Sequence, residues 1–362
     1  MNVVLIMAGG FGKRLWPEST LNNPKQFLFL QDKESFLQAT YRRASSIFGS
    51  ENTYLVTRKE LKKGVLSQLP NFPPHHIIAE PVGRDTAPCI GFSAIWIRRK
   101  RGDFPMLVLP SDHLIKNERK FKQVVEVAIK QAEKGFLVTI GIKPTRPETG
   151  YGYLQMGEEI GQIDGVPLFK LKRFTEKPSY KKAKEFFEGG NFLWNAGIFA
   201  WKPSVILEEI DKYLPDLSHG LREIEAVLET GKEQKVQKVI EEVYPILPKV
   251  SIDYGVMEKT DKAVVIPGDF PWDDVGDWKA LERVFPKDET GNIIKGLIKE
   301  KEISNCTLIN REDKVLGVIG VSNLIIINSV KGTLVLSKEL AGRVKDLVNE
   351  LLQDPELRKY VE

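Results

Sequence analysis

Short aliphatic and β-branched runs alternate with helix-periodic stretches through the first part of the chain. Asn2 to Ala8 is an apolar run that ends at Gly9-Gly10, which predicts a buried strand opening into a loop. That loop, rich in Gly, Pro and Asn, extends to about Pro24. Ser35 to Phe48 then reads as helix, Thr53 to Thr57 as strand, Lys59 to Leu69 as helix and Ile77 to Ala79 as a short strand. Thr86 to Arg99 reads as helix with Asp85 or Thr86 as N-cap, and Met106 to Leu109 as another buried strand. The clearest helix carries Phe121, Val124, Val125, Ala128, Ile129 and Ala132 on one face, with Gly135 as its stop and strand Leu137 to Ile140 directly after it. Strands alternating with helices of this length predict βαβ units, an α/β class and a mainly parallel sheet. Such sheets bind ligands at the carboxyl ends of their strands, where loops and helix N-termini offer free N–H groups.

After Pro144 the strands lengthen: Tyr151 to Met156, Leu168 to Thr175 and Leu193 to Trp201. They are assigned to the same domain. A boundary is placed near Pro286-Lys287, which divides the chain into 1–285 and 286–362. The second part holds short strands broken by Gly, Asn and Ser, among them Val315 to Ile319 and Leu324 to Asn328. Leu340, Val344, Leu347, Val348, Leu351 and Leu352 form the apolar stripe of a last helix, read first as local core packing.

Composition narrows the class. The 362 residues are 42% apolar and 28% charged, which excludes a disordered or collagen-like chain. Fifty-three basic against 49 acidic residues leave a net charge of +4, too weak to argue for nucleic acid. Cys89 and Cys306 are far apart and form no CxxC, so neither a zinc site nor a disulfide framework is expected, and a reducing cytoplasm suits them. No apolar run reaches the roughly 18 residues of a membrane span, and the first residues lack a signal-peptide pattern.

The loop Met7-Ala8-Gly9-Gly10-Phe11-Gly12-Lys13-Arg14-Leu15 offers glycines, backbone amides and two basic side chains, a combination suited to cradling phosphates. It is neither a dinucleotide fingerprint, which needs a glycine at Leu15, nor a Walker A loop, which needs Ser or Thr at Arg14. Pro24-Lys25-Gln26-Phe27-Leu28 closes the loop with another lysine.

From Gly9 to Lys25 the chain resembles the signature of sugar nucleotidyltransferases, G-G-x-G-x-R-L followed by P and P-K. Glu80 to Pro88, Leu109 to His113, Glu148 to Tyr153, Phe174 to Pro178, Trp194 to Gly197, Ser251 to Lys259 and Pro271 to Trp278 look like segments of the mannose-1-phosphate guanylyltransferase family, also called GDP-mannose pyrophosphorylases. Where that family often shows Asn, this chain has Asp85. The resemblance implies a Rossmann-like nucleotidyltransferase fold: a mixed, mainly parallel sheet flanked by helices. It also implies a small C-terminal left-handed β-helix-like domain, followed by the terminal helix, which is expected to help form a homodimer; from its length the chain is expected to be monofunctional. The implied reaction joins GTP and α-mannose 1-phosphate into GDP-mannose with release of pyrophosphate.

The resemblance also implies roles for single residues. Arg14 and Lys25 carry over as the β- and γ-phosphate clamp, with Ala8, Gly9, Gly10, Gly12, Lys13, Glu80 and Ser111 around the nucleotide. Guanine presents two kinds of N–H donor, so a selective pocket needs paired acceptors. Glu80 and the backbone near Ala8 and Gly9 are the candidates. Gly152, Glu176, Lys177, Asn195 and Asp253 would meet the sugar phosphate. Two polyanions must approach each other, so a divalent cation is expected. Mg²⁺ takes one or two carboxylates plus substrate oxygens and waters. The resemblance names Asp112 and Asp274 as its ligands, with Asp273 as the alternative to its neighbour. A sugar phosphate is ionised at neutral pH and needs no general base, so His113 is read as structural. A related transferase with another base or sugar, and a non-catalytic sugar-nucleotide sensor, are the competing readings.

Overall fold

A computed structural model describes residues 1–29, 33–231 and 233–362. The chain gathers into two compact units. One consists of Met1–Gly9, Thr40–Ser111 and Ile115–Trp272; the other of Gly10–Ala39, Asp112–Leu114 and Asp273–Glu362.

The first unit is built on nine strands: β1 (Val3–Met7), β2 (Thr53–Arg58), β3 (Ile77–Glu80), β4 (Met106–Pro110), β5 (Leu137–Ile142), β6 (Tyr153–Ile163), β7 (Val166–Thr175), β8 (Phe192–Trp201) and β9 (Ala263–Pro267). Their order across the sheet is β3-β2-β1-β4-β8-β5-β9-β7-β6, with β6 also paired to β8. β1 pairs in parallel with β2 and β4, β2 with β3, and β5 with β9. β8 runs antiparallel to β4, β5 and β6, and β7 antiparallel to β9 and β6. The sheet is therefore mixed, with only β7 and β8 opposed to the common direction, as the strand–helix alternation predicts. β1 and β4 are buried along nearly their whole length, which is why they read as unbroken apolar runs rather than alternating ones. The β6–β7 hairpin turns at Asp164-Gly165, both at positive φ (51° and 80°), the two-residue turn that Asp-Gly favours.

Helices flank the sheet. Glu118–Glu133 buries Phe121, Val124, Val125, Ala128, Ile129 and Ala132, the stripe its periodicity predicts. Thr86–Arg101 is buried along most of its length, and Asp85 caps it by accepting from Thr86 N at 2.8 Å.

The second unit stacks short parallel strands: β10 (Ile293–Lys295), β12 (Thr307–Asn310) and β14 (Leu324–Ser329) form one face, closed by antiparallel β15 (Gly332–Ser337). β11 (Ile298–Lys301) and β13 (Leu316–Ile319) pair in parallel as another face. Thr307 faces Ile325 and Ile298 faces Leu316, a step of 18 residues in both cases (325 − 307 and 316 − 298). β10 pairs with β12 at a shorter step of 14 (Ile293 with Thr307, 307 − 293), so the β-helix-like coil has one turn of 14 residues before its turns of 18. Asn292, Asn310 and Asn328 recur at that interval, and Asn328 Nδ2 donates to Asn310 Oδ1 at 2.8 Å. The coil's apolar side joins Ile309, Ile325, Ile327 and Leu334 to Leu15, Trp16, Val275 and Trp278 of the same unit. From the last helix, Val344–Gln353, Val344 and Val348 enter that core, whereas Leu347 stays partly exposed. Among the described residues, no helix is long and apolar enough to cross a membrane.

Candidate functional site

Within the second unit, the glycine loop folds back on Lys25. Gly12 is the loop glycine that adopts positive φ (71°), and a Cβ there would lie 2.4 Å from Lys25 Cβ. Ser19 Oγ donates to Gly12 O at 2.6 Å and Lys25 N donates to Phe11 O at 3.3 Å, which closes the loop. Lys25 is 5% exposed. Its ammonium donates to Asp112 Oδ2 at 2.9 Å and to the Asp274 carbonyl oxygen. An ammonium has three N–H groups, of which these bonds use two; it also lies 5.4 Å from the centroid of the Phe36 ring. Burial works to raise the Asp112 carboxyl, but Lys25 and His113 beside it outweigh burial and hold its pKa below the ordinary value.

Asp274 sits in a tight turn. Its Oδ1 accepts from Gly276 N at 3.2 Å. A Cβ on Gly276 would come within 2.8 Å of Asp274 Oδ2 and 3.5 Å of Arg14 Nη1, so the glycine leaves room for both side chains. Val275 between them has φ 45° and is fully buried. A β-branched residue in that region costs on the order of 1–3 kcal/mol, which the surrounding core must offset. Asp273 points elsewhere: Arg283 grips it with Nε at 2.5 Å and Nη2 at 2.9 Å, and Val275 N donates to it at 2.8 Å. Arg14, Lys25, Asp112 and Asp274 thus converge in one unit. The ammonium of Lys13 does not join them; it donates to Asn349 on the last helix at 2.7 Å. Gly10 faces open space. Among the described residues, no group of three or more His, Cys, Asp or Glu could hold a metal. Two carboxylates alone are the hard-oxygen set that Mg²⁺ accepts when phosphate oxygens and waters supply the rest, so Asp112 and Asp274 fit that ion.

In the first unit, Ala8 N donates to Val56 O at 2.8 Å, and Ala8 O accepts from Thr57 Oγ1 at 2.7 Å. Gly9 passes close to Glu80: a Cβ there would lie 3.3 Å from Glu80 Oε2. The buried Tyr244 donates its hydroxyl to Glu80 Oε1. Burial pushes the Glu80 carboxyl up to about 7, against the opposing pull of Tyr244, Cys89 and Arg58. Ser111 is buried, with its N donating to Met7 O at 3.0 Å.

The same unit gathers Gly152, Glu176, Lys177, Asn195 and Asp253. Opposite β5, strand β8 bulges between Asn195 and Phe199, with Gly197 at φ 65°. The bulge turns the Asn195 amide inward. Its Oδ1 accepts from Gly197 N (3.0 Å) and Thr139 Oγ1 (3.2 Å), and its Nδ2 donates to Asp253 Oδ1 (2.8 Å). Asp253 opens a single π-helical turn, Asp253–Met257, a form common at functional sites. Burial and then the Glu176 charge raise its carboxyl to about 7. Glu176 N donates to Glu258 Oε1 at 2.8 Å, and Lys177 Nζ lies 2.6 Å from Glu176 Oε1. Gly152 has no space for a side chain, because a Cβ would stand 2.5 Å from Glu176 Oε2.

Thr139, Tyr244, Glu258, Gly276 and Arg283 all support these groups, and the sequence alone does not single them out. Gly276 and Glu258 lie inside segments that carry motifs. Tyr244, Thr139 and Arg283 carry no local signal.

A nucleotidyl transferase family model matches residues 3–291, and a model described as the MannoseP isomerase/GMP-like β-helix domain matches 303–351. The chain is 38% identical over 362 residues to a mannose-1-phosphate guanylyltransferase of Klebsiella pneumoniae, covering 98% of this chain and 74% of that one. It is 34% identical over 351 residues to the alginate biosynthesis protein AlgA of Pseudomonas aeruginosa, covering 96% and 72%. A crystal structure from Thermus thermophilus, described as a mannose-1-phosphate geranyltransferase, superposes with a TM-score of 0.84 at 36% identity, covering 97% of this chain and 99% of that one. The chain belongs to the nucleotidyl transferase family, within its mannose-1-phosphate guanylyltransferase group.

Proposed function

We propose that the protein transfers GMP from GTP to α-D-mannose 1-phosphate, forming GDP-mannose and pyrophosphate. A phosphate oxygen of the sugar phosphate attacks the α-phosphorus of GTP in line. The new P–O bond forms as the bond to the β-phosphate oxygen breaks, and pyrophosphate leaves with the electron pair. The nucleophile is already an anion, so charge neutralisation and positioning are the main demands. The observation that carries this reading is the convergence of Arg14 and Lys25 with Asp112 and Asp274. Lys25 would meet phosphate oxygens through its remaining N–H, and Arg14 through its guanidinium. Asp112 and Asp274 would hold Mg²⁺, which when bound neutralises charge between the two reactants. The Asp273–Arg283 pair favours Asp274 over its neighbour for that role.

Glu80 would accept from guanine N–H groups beside the Ala8-Gly9 backbone, with Ser111 as a further nucleotide contact. Asn195, with its amide oxygen committed to Thr139 and Gly197, would offer the sugar one N–H. Glu176 would accept from hydroxyls, and Lys177 would pair with the sugar phosphate. The relatives named for this activity support the choice of GTP and mannose 1-phosphate. Pyrophosphate release with GTP, with and without mannose 1-phosphate, tests the reading. Sugar-dependent release is expected, and Asp112→Asn with Asp274→Asn should reduce it by roughly a hundredfold or more. Normal turnover in that double variant, or release indifferent to the sugar, would reject the assignment. The protein is also proposed to act as a cytoplasmic homodimer, for which light scattering should give twice the chain mass.

A further inference from the structure

The turn that carries Asp274 is held from outside the group of residues assigned above. Arg283 grips both oxygens of Asp273 in a two-point fork, and Asp273 Oδ1 also accepts from Val275 N. That second bond fixes the backbone at Val275, a buried residue at φ 45° whose position belongs to the apolar core with Leu15 and Trp278. The peptide on one side of Val275 carries the Asp274 carbonyl that receives Lys25. The residue on the other side, Gly276, donates its N–H to Asp274 Oδ1. A β-branched residue leaves that backbone region readily unless something holds it there. The fork is the polar part of that restraint. Asp273 and Arg283 are 13% and 33% exposed at their side chains, sheltered enough for a bidentate pair to stay formed.

We propose that Arg283 is a positioning residue: by binding Asp273, and through it the Val275 N–H, it sets the turn that offers the Asp274 carbonyl to Lys25 and holds the Asp274 carboxylate against Gly276 N. This rests on the reading of Asp274 as a cation ligand. Arg283 acts through Asp273, whose two oxygens it binds. A residue of this kind should set metal affinity and turnover.

Titration of the full-length protein with Mn²⁺ in the presence of GTP, followed by electron paramagnetic resonance, reads the cation site directly. Arg283→Ala is expected to weaken Mn²⁺ binding by about tenfold or more and to lower kcat. Arg283→Lys should recover part of the loss. A purely structural role would lower the melting temperature while the folded protein bound Mn²⁺ normally; that result overturns the proposal. So does a wild-type protein that binds no Mn²⁺. Should Arg283→Ala not fold, Asp273→Asn keeps the shape, breaks the ion pair and is judged by the same outcomes. A wild type that binds Mn²⁺ but releases no pyrophosphate would reject the assigned reaction, while the Mn²⁺ affinity of Arg283→Ala would still decide the positioning role.

Discussion

At the scale of single residues, the candidate site depends on places where a side chain must be absent. Gly152 lets the Glu176 carboxylate lie against the backbone, with no room for even a methyl group. Gly152→Ala is therefore expected to displace Glu176, raising KM for the sugar phosphate tenfold or so while the melting temperature changes little. Steady-state kinetics at fixed GTP check this, and an unchanged KM would remove Glu176 from the sugar site. Glu80 makes a different prediction. Its carboxyl is raised from 4.5 to about 7 on folding. The folded state therefore keeps a proton that the unfolded chain has released, and stability falls as pH rises from about 4.5 to 7. A shift of that size corresponds to a loss on the order of 3 kcal/mol above the upper value. Glu80→Gln should flatten the dependence, so that its melting temperature gains on the wild type at pH 8 relative to pH 5. Parallel melting curves for the two proteins would sink the burial argument. The polar groups that orient the site were illegible at this scale. Tyr244 meets Glu80 across 164 positions and Thr139 meets Asn195 across 56. No local pattern announces a hydrogen bond between residues that distant. The motif residues were legible because each motif is a contiguous loop whose spacing reflects one turn.

At the scale of elements, periodicity carried most of the fold. The Glu118–Glu133 helix declares itself because one face meets apolar core and the other meets water, so its pattern is local. β1 and β4 read as strands because burial on both faces leaves a short, unbroken apolar run. The order of the strands is another matter. That β8 lies between β4 and β5, antiparallel to both, follows from packing rather than from its own composition. The bulge that turns Asn195 inward is likewise a departure from strand register that alternation does not reveal. In the β-helix-like coil, the Asn310–Asn328 bond joins two successive turns. Asn310 is 4% exposed and its Nδ2 donates to Leu297 O (2.8 Å) and Lys314 O (2.7 Å). Asn310→Ala would strip two carbonyls and the Asn328 amide of their partner, at about 1–3 kcal/mol for each group left buried and unpaired. A fall of several degrees in the melting temperature is expected by calorimetry, and a change below one degree would mean that these bonds are ornamental.

At the scale of the whole chain, the two compact units do not follow sequence order. The second collects Gly10–Ala39 and Asp112–Leu114 with Asp273–Glu362. A boundary drawn along the chain separates stretches that strand and helix periodicity can recognise; it does not display which distant stretches fold together. Trp16 illustrates the point: its indole N–H donates to Tyr360 O, 344 positions away, and its carbonyl accepts from Trp278. Contacts this far apart are slow to close, because the intervening chain must lose its freedom before they form.

That discontinuity bears on how the protein is made. A ribosome delivers Arg14, Lys25 and Asp112 early, but Asp274, Arg283 and the strands that bury Val275 come much later. A nascent chain that has not reached them would carry three of the four charged groups with nothing to complete them. Under the proposed assignment, a chain released before Asp274 holds Arg14, Lys25 and Asp112 but lacks the fourth group and its supports, so turnover is expected only from the finished molecule.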